Sequence, residues 1–402
     1  MRIAMLHWAF PPTIGGVESH LAMLCPALVR KGHSVHLLTG AVDGKPDRYS
    51  WEGVYIRRTP LMDLNCLTPD LIRKYRDKIR EELAEFIDEA KPDIIHAHNM
   101  HYFSPQHTAE LLNAKARHQI PLVLTAHNVW ADQTWEKLCL LSKGWDGVIA
   151  ISRYIKKELV ANGYSVGKIT VIHHGIDTRR FAGSGVDDEL VRQLRAAAGG
   201  RKVIFHPARM SLAKGSDTVV LAFSRLKQSY PGAFLLLAGT EKTVDWGSCQ
   251  QGEIHRIKSM ISEEGLEDSV LIRFFPWDEI PSAYKASDVV IYPSSFDEPF
   301  GLVLLEAMAS GKPLVVTQVG GMPEIVTDGK TGFIIPPRSP DALAESIVRI
   351  LSAPQCAEEM GRNAAFEVQR RFGLNRMVDD TINFYERVRR STRRDLERRR
   401  AS

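Results

Sequence analysis

Glu298 and Glu306, separated by seven residues, flank a stretch suited to a ligand that is anionic in its middle and hydroxylated at both ends. An apolar strand ends near Tyr292 and runs into Pro293-Ser294-Ser295, followed by Asp297-Glu298-Pro299-Phe300-Gly301. Leu302, Leu305, Glu306 and Ala309, with alanines between, then suit a helix that Gly311-Lys312-Pro313 stops. Gly301 lets a ligand come close to the backbone. The first amides of the helix, at Leu302 and Val303, point outward with the positive end of the dipole and so offer a phosphate site. Helical side chains lean toward the N-terminus, which lets Glu306 reach back toward whatever those amides hold. A carboxylate repels phosphate but accepts hydrogen bonds from sugar hydroxyls. A nucleotide sugar has this distribution of charge and hydroxyls. An ordinary strand-loop-helix with two solvated glutamates has the same local pattern.

The elements that position these residues alternate along the whole chain. Strands are expected at about 2–8, 34–39, 53–58, 93–98, 121–126, 147–151 and 168–173, with helices between them. One helix runs from Val17 to about Lys31 with Leu21, Leu24 and Leu28 on one face, and Gly32 caps it. A second series opens at Lys202 and continues at about 234–238, 270–274, 289–293, 314–317 and 332–335. Alternation of this kind predicts the α/β class, two doubly wound parallel sheets covered on both faces. Thr178–Gly200, with Gly183, Gly185 and Gly199-Gly200, is expected to break regular structure and to serve as linker and hinge. Ligands bind at the carboxyl ends of the strands in such sheets. No Gly-x-Gly-x-x-Gly follows the first strand of either series, which disfavours a dinucleotide-dependent oxidoreductase.

Composition narrows the class. A chain of 402 residues is too long for one ordinary core. The formal charge of +4 conceals a division: residues 387–402 hold eight arginines against Asp395 and Glu397, leaving 44 basic and 46 acidic residues elsewhere. The body is therefore near neutral, and nucleic acid is not an expected partner. Two readings of the basic tail stay open, a solvated helix end and a weak peripheral contact with an anionic membrane face. Cys25, Cys66, Cys139, Cys249 and Cys356 are odd in number and widely spaced, indicating neither a disulfide framework nor a zinc site. No apolar run approaches a membrane span, and Met1–Leu6 enters a strand pattern at once. A cytoplasmic location, with the tail reaching at most the inner membrane face, is the expectation.

The segment from Glu298-Pro-Phe-Gly through Glu306-Ala-Met-Ala resembles the signature of retaining glycosyltransferases of family 4, which have the GT-B fold. The likeness spans nearly the whole chain. Pro12-Thr-Ile-Gly15-Gly16-Val-Glu18 and Gly32-His33-Ser-Val35 are similar to the family's opening loop and second strand, and Val171–Phe181 to the segment leading into its hinge. The resemblance implies two Rossmann-like domains facing across a cleft: an acceptor-side domain at 1–178 and a donor-binding domain at 179–376, with helices from about Met377 packing back on the first. It implies transfer of a hexose from a nucleotide-diphosphate sugar to an acceptor hydroxyl with retention, without cofactor or metal. The acceptor stays unidentified: a sugar, a lipid-linked sugar or a small molecule. Arg209 and Lys214 match a pair that grips the donor diphosphate, where fixed cations stabilise the charge building on the leaving group. Glu298 is implied to hold sugar hydroxyls, Glu306 the ribose, and Phe300, Gly301, Leu302 and Val303 to line the donor. His127, at the end of the strand Leu122–Ala126, is implied to stand close to the transferred sugar. Gly15 and Gly16 are implied to lay amides against acceptor or phosphate.

The chain also departs from the family. Asn128 stands where relatives often have Asp, and Phe274-Phe275-Pro276-Trp277 replaces a glycine whose backbone meets the base, so the donor base stays open. His96, His98 and His101 cluster in sequence, but His-x-His without a nearby carboxylate or thiolate is weak as a metal signal. Loops Ala41–Trp51 and Met100–Gln106 are expected to line the acceptor side, and Glu241–Gly252 carries no readable pattern. Two rival readings share the architecture: a nucleotide-sugar epimerase, and a non-catalytic nucleotide-sugar-binding protein.

Overall fold

A computed structural model describes the chain except residue 14, residues 130–137 and 240–248, and residue 402; the side chains of 249, 250, 396 and 399–401 are likewise outside the described set. The chain divides into two compact units, Met1–His174 with Asn375–Ser402, and Gly175–Leu374.

The first unit is built on β1 (Arg2–Leu6), β2 (Ser34–Gly40), β3 (Arg48–Trp51), β4 (Val54–Thr59), β5 (Ile94–His98), β6 (Leu122–Ala126), β7 (Gly147–Ala150) and β8 (Ile169–Val171). Their order is β3-β4-β2-β1-β5-β6-β7-β8, parallel except for β3 against β4. Central strands such as β5 and β6 are buried at every position, as a sheet covered on both faces requires. Register aligns Leu6 with Ala97, His98 with Thr125, and Ala126 with Ala150. His7, His98 and His127 therefore leave the sheet along one edge. From Asn375 onward the helix Leu374–Ala401 belongs to this unit and turns Phe384, Tyr385 and Val388 inward.

The second unit is built on β9 (Lys202–His206), β10 (Ala233–Gly239), β11 (Val270–Phe274), β12 (Val289–Tyr292), β13 (Leu314–Thr317) and β14 (Gly332–Ile335). The order β11-β10-β9-β12-β13-β14 is parallel throughout. The loops after β9, β12 and β13 thus share the carboxyl edge.

Three expectations change. The stretch read as a linker holds the helix Asp188–Ala198, whose first amides are capped by the Asp187 side chain and which buries Leu190, Leu194 and Ala198. Gly199 ends that helix in the left-handed region, so the glycine pair marks a C-terminal cap. The Ala41–Trp51 loop ends in a strand: Glu52 and Gly53, both at positive φ, turn β3 back onto β4. Met100–Gln106 holds the short helix Met100–Phe103 and then Ser104, which caps Pro105–His118. Most of Glu241–Gly252 lies outside the described residues. No described helix is long and apolar enough to cross a membrane.

Candidate functional site

In the second unit a charged network sits on the carboxyl edge. Lys214 Nζ lies 2.6 Å from Glu298 Oε2. The Tyr292 hydroxyl donates to the same oxygen at 2.9 Å. Burial works to lower the Lys214 ammonium, but the negative charge of Glu298 and the Tyr292 oxygen outweigh it and hold it above the usual lysine range. Burial, reinforced by Glu298, pushes the Tyr292 hydroxyl up as well. Glu298 is fixed from behind by Gly320, at φ 55°, where a Cβ would lie 2.1 Å from the Glu298 carbonyl oxygen. The Gly321 amide donates to that carbonyl at 2.8 Å. Only glycine fits there.

Gly301, at φ 101° and ψ 72°, leads into the helix Leu302–Ala309, whose first turn has no side-chain cap among the described residues. Leu304, Leu305 and Met308 anchor the helix in the core, while Leu302 and Val303 are half-buried. Phe300 differs from its expected part: its ring is buried and meets Phe372 edge-on, 6.0 Å between centroids, so the side chain packs in the core. On the second turn Glu306 accepts the Tyr284 hydroxyl at 2.8 Å. Burial raises the Glu306 carboxyl above its ordinary range, while Tyr284 and the charge of Arg180 pull the other way. The Arg180 guanidinium lies 3.1 Å from the centre of the half-exposed Trp277 ring. Phe275, in the loop that departs from the family, is core against Phe205. Arg209 is exposed in the loop after β9 and takes no part in the Lys214–Glu298 contact.

The first unit gathers neutral rings on its own carboxyl edge. His127 is 5% exposed, and both of its ring nitrogens face other imidazoles: Nε2 lies 2.9 Å from His98 Nδ1, and Nδ1 lies 3.3 Å from His174 Nε2. Its amide donates to Asn99 Oδ1 at 2.8 Å. Burial, then the neighbouring histidines, drive His98, His127 and His174 well below the ordinary histidine range, and push His20 down to about 3. Burial and the neighbouring rings thus favour the neutral form of His127, and other rings enclose it. Of the histidines that cluster in sequence, His96 bonds Tyr385 and Thr125, and His101 meets the Asn128 carbonyl at 2.8 Å. Only His98 joins His127. Gly15 is extended and lies against Glu18, whose Oε2 would stand 2.2 Å from a Cβ there; Gly16 opens the helix Gly16–Arg30 with free space beside it. Glu18 does more than begin that helix, since it pairs with His7 at 3.0 Å.

Sequence reasoning passed over Tyr284, Gly320, His20 and His174. Gly320-Gly321 directly beyond a strand was a legible signal for a close approach, and so was the His173-His174 pair. Tyr284 and His20 look like ordinary helix residues until the sheets are assembled.

The model "Glycosyl transferases group 1" matches residues 187–366, and "Glycosyltransferase Family 4" matches residues 14–180. An uncharacterised glycosyltransferase of Methanocaldococcus jannaschii is 28% identical, over 96% of this chain and 98% of its own. The glycogen synthase of Mycobacterium tuberculosis is 26% identical, over 99% and 97%. An Anabaena protein solved with UDP and glucose is 22% identical and superposes with a TM-score of 0.75, over 95% and 98% of the two chains. That likeness carries the fold, GT-B.

Proposed function

The chain belongs to glycosyltransferase family 4, and from that premise we propose that it transfers a hexose from a nucleotide-diphosphate sugar to an acceptor hydroxyl, with retention and without a metal ion. The observation that carries this reading is the Lys214–Glu298–Tyr292 network beside the uncapped helix Leu302–Ala309. The ammonium and carboxylate satisfy each other. A donor diphosphate competes for Lys214, and the released carboxylate then accepts hydrogen bonds from sugar hydroxyls. Lys214 and Arg209, with the amides that follow Gly301, offset the charge that builds on the leaving diphosphate as the glycosidic bond breaks. The leaving phosphate takes the proton of the attacking hydroxyl on the same face, which keeps the anomeric configuration. Glu306 holds the ribose, and His127 is assigned to the reacting sugar as a neutral hydrogen-bonding ring.

The Anabaena structure holds UDP and glucose, which makes uridine diphosphate the first nucleotide to test, beside guanosine and adenosine diphosphates. One of the three is expected to raise the melting temperature in the presence of chelator. At 100 times its dissociation constant it adds about 2.7 kcal/mol of stability. A strict magnesium requirement, or silence from all three, overturns the reading. Product analysis separates it from an epimerase, which converts the donor with no acceptor present. For the tail, flotation on anionic liposomes with and without residues 387–402 tests peripheral contact; equal flotation removes it.

A further inference from the structure

We propose that His20, His98 and His127 form a binding site for one transition-metal ion of the zinc type, and that filling it withdraws His127 from the transfer reaction. The second half rests on the transferase reading; the site itself does not. One ring nitrogen from each of the three lies within 4.8 Å of the other two. Two of the rings carry orphaned atoms: His20 Nδ1 and His98 Nε2 are buried with no hydrogen-bond partner among the described residues. An unpartnered polar atom in the interior costs free energy that a ligand can recover. These residues are 4% and 1% exposed, so solvent does little to satisfy them.

The geometry is close to what the ion needs. A point equidistant from three atoms 4.8 Å apart lies no more than about 2.8 Å from each, so zinc–nitrogen bonds of ~2.0–2.1 Å require inward shifts of about 0.7 Å. The rings already crowd together, with centroids 5.6 Å apart for His20 and His98, 5.1 Å for His20 and His127, and 5.2 Å for His98 and His127. Three imidazoles suit zinc, nickel or copper and reject magnesium or calcium. His174 supports His127 from outside the cluster, through the contact at Nδ1. If His127 coordinates through Nε2, its ring hydrogen sits on Nδ1, where it donates to His174. The bond between His127 and His98 is lost in the exchange. The nearby cation, Arg376, is bonded to Asp380 at 2.8 Å, which offsets its repulsion.

The test uses the full chain. Calorimetric titration with zinc is expected to find one equivalent bound, and cobalt is expected to give a tetrahedral visible spectrum without a thiolate charge-transfer band. The thiolate control matters because Cys66 and Cys356 are exposed. Loss of a bound ligand exceeds the cost of losing a supporting residue, so His20→Gln is expected to weaken zinc by about 100-fold or more. Zinc should inhibit turnover of wild type and inhibit His20→Gln far less, each read against its own zinc-free rate. Equal zinc affinity in wild type and His20→Gln, or a cobalt–thiolate signature, overturns the site. If His20→Gln fails to fold, His98→Gln gives the same binding comparison. If no donor is turned over by any variant, the transferase reading fails while calorimetry and cobalt spectra still decide the site.

Discussion

The two units place polar side chains on the same kind of edge and solve their burial in opposite ways. In Gly175–Leu374 the solution is opposite charge: Lys214 against Glu298, with Tyr292 sharing the carboxylate. In Met1–His174, beside the Glu18–His7 contact, it is neutrality around His127, with burial and neighbouring rings driving His98, His127 and His174 well below the ordinary histidine range. A charge pair is ready to exchange partners with an anionic ligand, because each member lowers the cost of keeping the other ionised. A ring cluster offers lone pairs and N–H groups without net charge. The contrast matches the division of labour in the proposed reaction between a diphosphate and a sugar.

The largest expected effect breaks the charged side. Lys214→Ala removes a cation from the developing diphosphate charge and should cost about 10²–10³ in turnover, the scale seen for one preorganised stabilising group. It should also erase most of the melting shift caused by the nucleoside diphosphate. Retention of both overturns the role of Lys214.

A smaller effect sharpens the distinction between the two carboxylates. Glu306→Gln is expected to weaken the free nucleoside diphosphate and the sugar donor alike, since the ribose is common to both. Glu298→Gln is expected to weaken the sugar donor without weakening the nucleoside diphosphate, since it removes the carboxylate that competes for Lys214. Each loss removes a hydrogen bond to a charged group, worth about 1.5–3 kcal/mol. Calorimetry with the reverse pattern exchanges the two assignments.

The neutral side is tested by acid. Histidines lowered by burial bind fewer protons folded than unfolded, so the stability they contribute is present above the ordinary histidine value of 6.5 and is lost as pH falls toward their folded values. For His20 and His96 those values are about 3, which spreads the loss over the range between. Each such ring contributes about 1.4 kcal/mol per pH unit at most. Urea midpoints followed from pH 7 to pH 5 should fall, and His20→Gln should flatten the slope. A slope unchanged by that substitution removes His20 from the account.

Much of the fold was legible because strand and helix periods are local. The helix on Leu21, Leu24 and Leu28 appears at Gly16–Arg30 and ends before Gly32. Strand positions hold to within a few residues, and β3 was missed because a four-residue edge strand carries little pattern. Of the glycines expected to break structure, Gly199 instead caps a helix, and Gly320, which the sequence left unread, packs against the backbone of Glu298.

The sequence by itself determined the candidate site's chemistry in outline: two glutamates seven residues apart, a glycine ahead of a helix, a cation pair beyond the first strand of the second series, and a histidine at a strand end. Those features are short-range, and spacing along one chain suffices to see them. Tertiary structure alone decided that Lys214 pairs with Glu298, that Tyr284 serves Glu306, and that Phe300 is core. It also decided that His98, His127 and His174 form one chain of rings, with His20 beside it. The partners in each set lie between 22 and 84 residues apart in the first two pairs and up to 47 in the ring chain. Parallel strand order and register bring such residues to one edge, and no local pattern records which loops will meet there.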